Sequence, residues 1–258
     1  PAPSYFEAAN MRSCAVFENN LFVANKNGKV HVLDATTGEY LRDLDATGIW
    51  GGDITLTDIK CLEDGTVMAS NCRVTATDAG TFKVYYWDDL SAAPKVLIDY
   101  GVDKLTLPNG SAKVSIRAFD YVGSIESGNL YAITADAAKD AVYVIQIPVI
   151  DGTPGDPVFH AVGGYATETS ARIRVDADET GFWFTAKGKS YYYKFESASA
   201  CTYYNATASK AYSNAFETFS IGDTNYYVTV DYLDTGSGAI TTPFVALYTY
   251  EKWGLWST

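Results

Sequence analysis

Charged residues recur at one position in a series of short apolar segments. The segments CAVFE, IKCLE, IRAFD, IRVDA and FETFS can be read in register, and their second residue is charged in four of the five. A charge inside an apolar strand is strongly destabilising unless it reaches water or a partner. The sequence therefore predicts that the residues at this position form a ring that can bind an acidic or hydroxyl-rich ligand. The ring residues are Ala15, Lys60, Arg117, Arg174 and Glu217.

Carboxylates lie in or beside the same segments. The acids are Asp58, Asp120, Asp176 and Glu217. Two carboxyl groups about 5 to 9 Å apart across an open pocket would suit glycoside hydrolysis. The same acids could instead neutralise the bases of the ring in an internal salt-bridge network. The residues alone leave both interpretations open.

Aromatic residues beside glycines form a second set of candidate binding residues. Trp50, Tyr165, Trp253 and Trp256 lie in the loop sequences ATGIWGGDITLT and VGGYATETS and in the final KWGLWST. Exposed aromatic rings on such loops stack on sugar rings or anchor a protein partner. The alternative is that these rings plug the ends of the interfaces between neighbouring sheets.

Other motifs do not predict catalysis. DTGSG at residues 234–238 matches an aspartic-protease signature, but that chemistry needs two such carboxylates and no second D-[ST]-G occurs. The two histidines, His31 and His160, are not near a Ser or Cys nucleophile motif, so a catalytic triad is not expected. Four scattered cysteines lack the close spacing of a zinc site or disulfide framework. We expect no metal and no cofactor.

Repeated hairpins would position these residues. Two apolar strands flank a polar turn in each of five units, with turns centred near Asn20, Gly65, Gly128, Gly181 and Thr224. Repeats of this kind indicate a propeller or a solenoid. Strands such as LFVA and VYVIQI are apolar on both faces, whereas an open sheet or a sandwich keeps one face polar. Sheets covered on both faces are typical of propeller blades.

The sequence thus predicts an all-β fold, a five-bladed β-propeller in one domain spanning residues 1–258. The fifth unit is short, and we expect residues 4–9 to close the ring as its outer strand, since closure hides sheet edges. The alternative is that a further blade lies outside this sequence. The predicted blades are residues 11–45, 55–100, 114–162, 171–205 and 214–258 together with 4–9.

Composition narrows the class of partner. The 258 residues include 20 Tyr and 12 Phe and carry a net charge of −12, which argues against a nonspecific nucleic-acid binder. No apolar run is long enough for a membrane helix. The chain begins PAPS without Met, which suggests that a leader or anchor was removed. We therefore expect an exported monomer, extracellular or in the cell envelope.

One stretch resembles known propeller repeats. LFVANKNGKVHVLDATTGEYLRDL is similar to quinoprotein-like and YVTN-type repeats, in which a strand ending in Asp turns through Thr-Gly. As a whole, the chain resembles secreted or lipoprotein propellers of uncharacterised function from gut Bacteroidetes. This resemblance implies an envelope or extracellular location and glycan or protein binding, and it implies no quinone cofactor.

Two functions follow as expectations. The first is a noncatalytic binding or scaffold propeller that contacts a glycan or a protein through the face carrying the ring and the aromatic loops. The rival is a glycoside-active enzyme that uses the inner-strand carboxylates.

Overall fold

The computed structural model describes residues 5–7, 9–73, 80–111, 114–136, 142–162, 171–186, 189–197, 200–206, 216–234 and 240–250. Five small sheets stand in a ring, so the prediction of an all-β, five-bladed β-propeller is confirmed. One short helix interrupts the strands of the described residues, α1 (Val102–Leu105).

The first two blades each contain four antiparallel strands. Blade 1 consists of β1 (Met11–Phe17), β2 (Asn20–Asn25), β3 (Lys29–Asp34) and β4 (Tyr40–Asp43). Blade 2 consists of β5 (Ile54–Cys61), β6 (Val67–Cys72), β7 (Phe82–Trp87) and β8 (Lys95–Tyr100).

The remaining blades are less regular. Blade 3 holds β9 (Val114–Gly123), β10 (Ser127–Asp136), β11 (Val142–Ile150), the two-residue β12 (Thr153–Pro154) and β13 (Val158–Val162). Blade 4 holds β14 (Arg172–Val175), β15 (Gly181–Ala186), β16 (Lys189–Ser197) and β17 (Ala200–Ala206), and β13 and β17 pair in parallel, which joins the two blades. Blade 5, in its described residues, holds β18 (Phe216–Ile221), β19 (Thr224–Asp234) and β20 (Ile240–Tyr250).

Apolar side chains on both strand faces produce this architecture. All six residues of β6 are buried, because blade 2 is covered by blade 1 on one side and by blade 3 on the other. Aromatic residues dominate the interface between blades 4 and 5, where Trp183 packs against Tyr192, Tyr227 and Tyr250. Full burial of each large apolar side chain contributes about 1.5–3 kcal/mol.

The predicted closing strand at residues 4–9 is not seen in the part of this segment that the structure describes. Residues 5–7 form no strand, and the Tyr5 ring stacks on Tyr40 of blade 1 with centroids 5.1 Å apart. The backbone N–H groups of Asn10 and Met11 both donate to the carbonyl of Glu7, so a turn leads directly into β1. This segment is therefore held against the outer strand of blade 1 rather than in blade 5.

Candidate functional site

The inner strands β1, β5, β9, β14 and β18 surround the axis and carry the predicted ring. A cavity of about 710 Å³, termed the central cavity, extends from the axis between blade 1 and blade 5. Four of the five ring positions line it: Ala15, Lys60, Arg174 and Glu217. Its outer walls are apolar and include Val16 of β1 and Val245 of β20, both exposed. The cavity thus combines a charged base with apolar walls.

Lys60 of blade 2 forms an ion pair with Asp120 of blade 3. The Lys60 ammonium donates to Oδ1 of Asp120, whose other oxygen, Oδ2, accepts a hydrogen bond from the backbone N–H of Val175 at 2.6 Å. Asp120 is buried, whereas Lys60 is partly open to the cavity. Lys60, a predicted ring residue, and Asp120, a predicted candidate acid, therefore neutralise one another.

Arg174 holds Glu217 in the same way. Its Nε lies 2.8 Å and 3.0 Å from the two carboxylate oxygens of Glu217, and its Nη1 donates to the carbonyl of Ile173 at 2.8 Å. Burial disfavours the charge on Arg174, yet the nearby carboxylates, Glu217 foremost, raise its pKa above the ordinary value. Glu217 itself remains 52% exposed and faces the cavity.

A third ion pair involves a residue that the sequence analysis missed. Arg172 Nη1 donates to Oδ1 of Asp58 at 2.9 Å, and the same oxygen accepts a hydrogen bond from Ser13 Oγ at 2.6 Å. The backbone N–H of Phe119 donates to Oδ2 at 3.1 Å. Alternation along a strand places Arg172 on the same face as Arg174, and this spacing could have identified it.

The two other predicted charged residues lie outside this network. Asp176 accepts a hydrogen bond from the Tyr192 hydroxyl, and its backbone N–H bonds the carbonyl of Gly181, so it organises the turn between β14 and β15. Arg117 is in no ion pair with any residue that the structure describes, and its Nε is buried without a hydrogen-bond partner.

Trp50 is an aromatic platform on the face where the inner strands begin. Its side chain is 65% exposed, and the Lys83 ammonium lies 3.7 Å from the ring centroid. The Tyr85 hydroxyl accepts from the Trp50 N–H at 3.2 Å and donates to its carbonyl at 2.9 Å, which fixes the loop backbone. The other predicted aromatic residues, Tyr165, Trp253 and Trp256, lie outside the described residues.

Neither a metal centre nor a membrane helix is found in the described ranges. No group of three or more His, Cys, Asp or Glu residues within them is arranged to hold a metal ion. None of the helices there is long and apolar enough to cross a membrane.

Comparisons with known proteins identify the fold. No protein-family model matches the sequence, and no curated protein matches it. A DUF4623 family protein from Bacteroides eggerthii is similar in structure, with a TM-score of 0.66 and 16% identity over 93% of this chain and 54% of that chain. A protein of unknown function from Bacteroides thetaiotaomicron has a TM-score of 0.50 and 13% identity over 76% of this chain and 43% of that chain.

This chain spans about half the length of these two proteins. At such identities the likeness extends to the fold and not to an activity. The predicted resemblance to Bacteroidetes propellers of uncharacterised function is therefore supported as a structural match to Bacteroides proteins whose function is uncharacterised.

Proposed function

We propose that this chain is a noncatalytic extracellular or cell-envelope binding propeller, monomeric, that binds a glycan on the face where its inner strands begin. The observation that carries the proposal is Trp50. A large aromatic ring that is 65% exposed, on a backbone fixed by Tyr85, is preorganised for contact with a ligand.

The surroundings of Trp50 favour sugar stacking. Lys83 lies over one face of the indole and is itself paired with Asp99 at 2.9 Å, so this cation is held in place. Because Lys83 covers one face of the Trp50 indole, the other face is available to the C–H groups of a pyranose. The central cavity and the exposed carboxylate of Glu217 add hydrogen-bonding groups toward the axis.

The ion pairs of the inner strands support binding rather than glycoside hydrolysis. Asp58 and Asp120 are buried, and each accepts hydrogen bonds from a cation and from a backbone N–H. A general acid or a nucleophile must reach the glycosidic bond, and hydrolysis needs two such groups. Glu217 is the one exposed carboxylate among the four predicted acids, and Arg174 holds both its oxygens.

A glycan array with the labelled chain tests the proposal. We expect wild-type protein to bind a defined set of glycans and Trp50→Ala to weaken that binding roughly 10-fold, about the value of one aromatic stacking contact. Phe219→Ala is the matched control, because Phe219 is an exposed aromatic residue toward the opposite end of the inner strands. An array without a wild-type signal, or equal losses in both variants, would overturn glycan binding through Trp50.

A further inference from the structure

Two inner-strand arginines differ from the other axial cations. Lys60, Arg172 and Arg174 each form an ion pair. Arg12 of β1 and Arg117 of β9 form none with the residues that the structure describes, and the Nε of each is buried without a hydrogen-bond partner. The described contacts of Arg12 satisfy only its Nη1, which donates to the neighbouring carbonyl of Met11 at 3.2 Å. Buried guanidinium donors are normally bonded, so these two have unused capacity.

Both arginines lie at irregularities of their strands. In β1 the pairing passes from Met11–Asn25 directly to Ser13–Ala24, so Arg12 is the extra residue of a β-bulge. In β9 the pairing passes from Ile116–Thr134 to Phe119–Ala132, and Arg117 lies within the second bulge. A bulge re-aims a side chain and is common beside functional sites. Two bulges that each hold an arginine near the start of an inner strand point to a shared purpose.

The strand segments that carry the two arginines meet at Asp58, because Ser13 Oγ donates to its Oδ1 at 2.6 Å and the Phe119 N–H donates to its Oδ2 at 3.1 Å. Burial raises the pKa of the Cys72 thiol to about 11, and the charges of Arg117 and Arg12 both act against this rise. Cys72 pairs with Ile54, the first residue of β5, which places Cys72 at the end of blade 2 where the inner strand begins. The charge of Asp53, which is exposed, acts on Cys72 and on Arg73.

We propose that Arg12 and Arg117 form a binding site for an oxyanion group, a carboxylate, sulfate or phosphate, at the end of the axis where the inner strands begin. The planar guanidinium fork matches such groups through paired N–H donors. An anion between the two arginines would pair with both guanidinium groups and remove the repulsion between like charges. This site stands on its own geometry and does not depend on glycan stacking at Trp50.

Backbone contacts hold the site on the blade 1 side. The carbonyl of Arg12 accepts a hydrogen bond from Arg172 Nη2 at 3.4 Å, and the hydroxyl of the next residue, Ser13, bonds Asp58. The ion-paired network beneath therefore positions the bulge of β1. On the other side, the strand of Arg117 is fixed by the bond from the Phe119 N–H to Asp58.

The arginine side-chain N–H signals in two-dimensional NMR spectra provide the test. Wild-type protein is titrated separately with sodium sulfate, sodium phosphate and sodium glucuronate, with chloride adjusted to keep ionic strength constant. We expect saturable shifts of the Nε–H signals of Arg12 and Arg117. The sulfate and phosphate titrations distinguish a tetrahedral oxyanion from the carboxylate of glucuronate.

Variants make the test specific. Arg117→Gln and Arg12→Gln should each weaken the binding of the preferred ion at least about 10-fold, the value of one charge-assisted hydrogen bond. Arg117→Lys keeps the charge without the fork and should also bind more weakly. Arg42→Gln is the control, because Arg42 is an exposed cation on outer strand β4 that bonds the Leu90 carbonyl.

Separate outcomes distinguish this site from the proposed function. If Trp50→Ala keeps full oxyanion binding while glycan binding is lost, the two sites are distinct, as we expect. Absence of saturable binding for all three ions in the folded wild-type protein would overturn the proposal. Equal weakening in Arg42→Gln, with unchanged amide spectra in every variant, would overturn it as well.

Discussion

At the scale of single residues, the axis of this propeller is held by carboxylates that connect blades. Asp58 of blade 2 accepts hydrogen bonds from Ser13 of blade 1, from the Phe119 backbone of blade 3 and from Arg172 of blade 4. Asp120 repeats the arrangement with Lys60 and Val175. Asp58 satisfies donors from three other blades and Asp120 donors from two, so these carboxylates fix the orientation of the blades about the axis.

Removal of Asp58 should destabilise the fold strongly. Asp58→Ala leaves the Arg172 guanidinium, the Ser13 hydroxyl and a backbone N–H without their acceptor, and breaking a buried ion pair in this way costs about 3–5 kcal/mol. Urea unfolding measures the change. Asp89→Ala, at an exposed turn where the Asp89 side chain accepts hydrogen bonds from Ser91, should cause a much smaller loss. Similar losses in the two variants would contradict the role of Asp58.

Buried thiols should make the protein less stable in alkali. Burial raises the pKa of Cys72 from 9.0 to about 11, so the folded state holds this proton more tightly than the unfolded state. The resulting stability is complete below about pH 9 and is lost as the pH rises to about 11.

Urea unfolding between pH 8 and pH 11 measures this dependence. The wild-type free energy of unfolding should fall, with Cys72 contributing at most about 1.4 kcal/mol per pH unit, the value for one proton. Cys72→Ala should show a shallower slope, whereas Ser70→Ala, a change at a buried hydroxyl in the same strand, should keep it. An unchanged slope in Cys72→Ala would show that the thiol does not contribute.

At the scale of elements, the hairpin between β5 and β6 connects blade 2 to blade 1. Gly65 in this turn has φ +89°, and a Cβ there would lie 2.8 Å from Cε1 of Phe17 in β1. The Asp64 side chain accepts a hydrogen bond from the Thr66 N–H at 2.9 Å, which fixes the turn. The tip of this hairpin therefore packs tightly against the neighbouring blade.

Alanine substitutions at two glycines separate backbone strain from this contact. Gly48 has φ +88° and nothing within 4 Å of an added Cβ, so Gly48→Ala should cost about 1–2 kcal/mol from the left-handed conformation alone. Gly65→Ala should cost more because its methyl group also displaces Phe17, and overpacking typically adds about 1–3 kcal/mol. Chemical denaturation compares the variants. If Phe17→Leu does not recover part of the extra loss in the double variant, the contact is not its cause.

At the scale of the whole molecule, the ring is packed unevenly. Large apolar clusters fill the interfaces from blade 1 to blade 4, and a smaller aromatic cluster joins blade 4 to blade 5. The central cavity lies between blade 5 and blade 1, where Val16 and Val245 are exposed. Within the part of the chain that the structure describes, blade 5 therefore packs mainly on blade 4.

Hydrogen exchange should reveal this difference. Local opening requires less free energy where fewer apolar contacts are broken, so backbone amides of β18 and β19 should exchange faster than those of β6 and β7. Exchange measured by mass spectrometry on peptides from the two regions tests this. Equal protection would indicate that the ring opens as one cooperative unit, contrary to this expectation.

The sequence by itself determined the strands and the five-bladed ring, because burial on both faces of a strand is recorded in its own residues, as in LFVA and VYVIQI. It also identified Lys60, Arg174 and Glu217 as residues around the axis, since their position in each repeat is local information. Only the tertiary structure decided their partners. The Arg172–Asp58 pair joins residues 114 positions apart, so it depends on how the blades are rotated about the axis.

The tertiary structure also decided two outcomes that no local pattern contains. Residues 5–7 pack on blade 1, where Tyr5 stacks on Tyr40, a contact of a kind that contributes roughly 1 kcal/mol. Arg117 lacks an ion-pair partner among the described residues, although it occupies the same repeat position as Lys60 and Arg174. A bulge in β9, formed by the pairing of two strands, gives it a different environment.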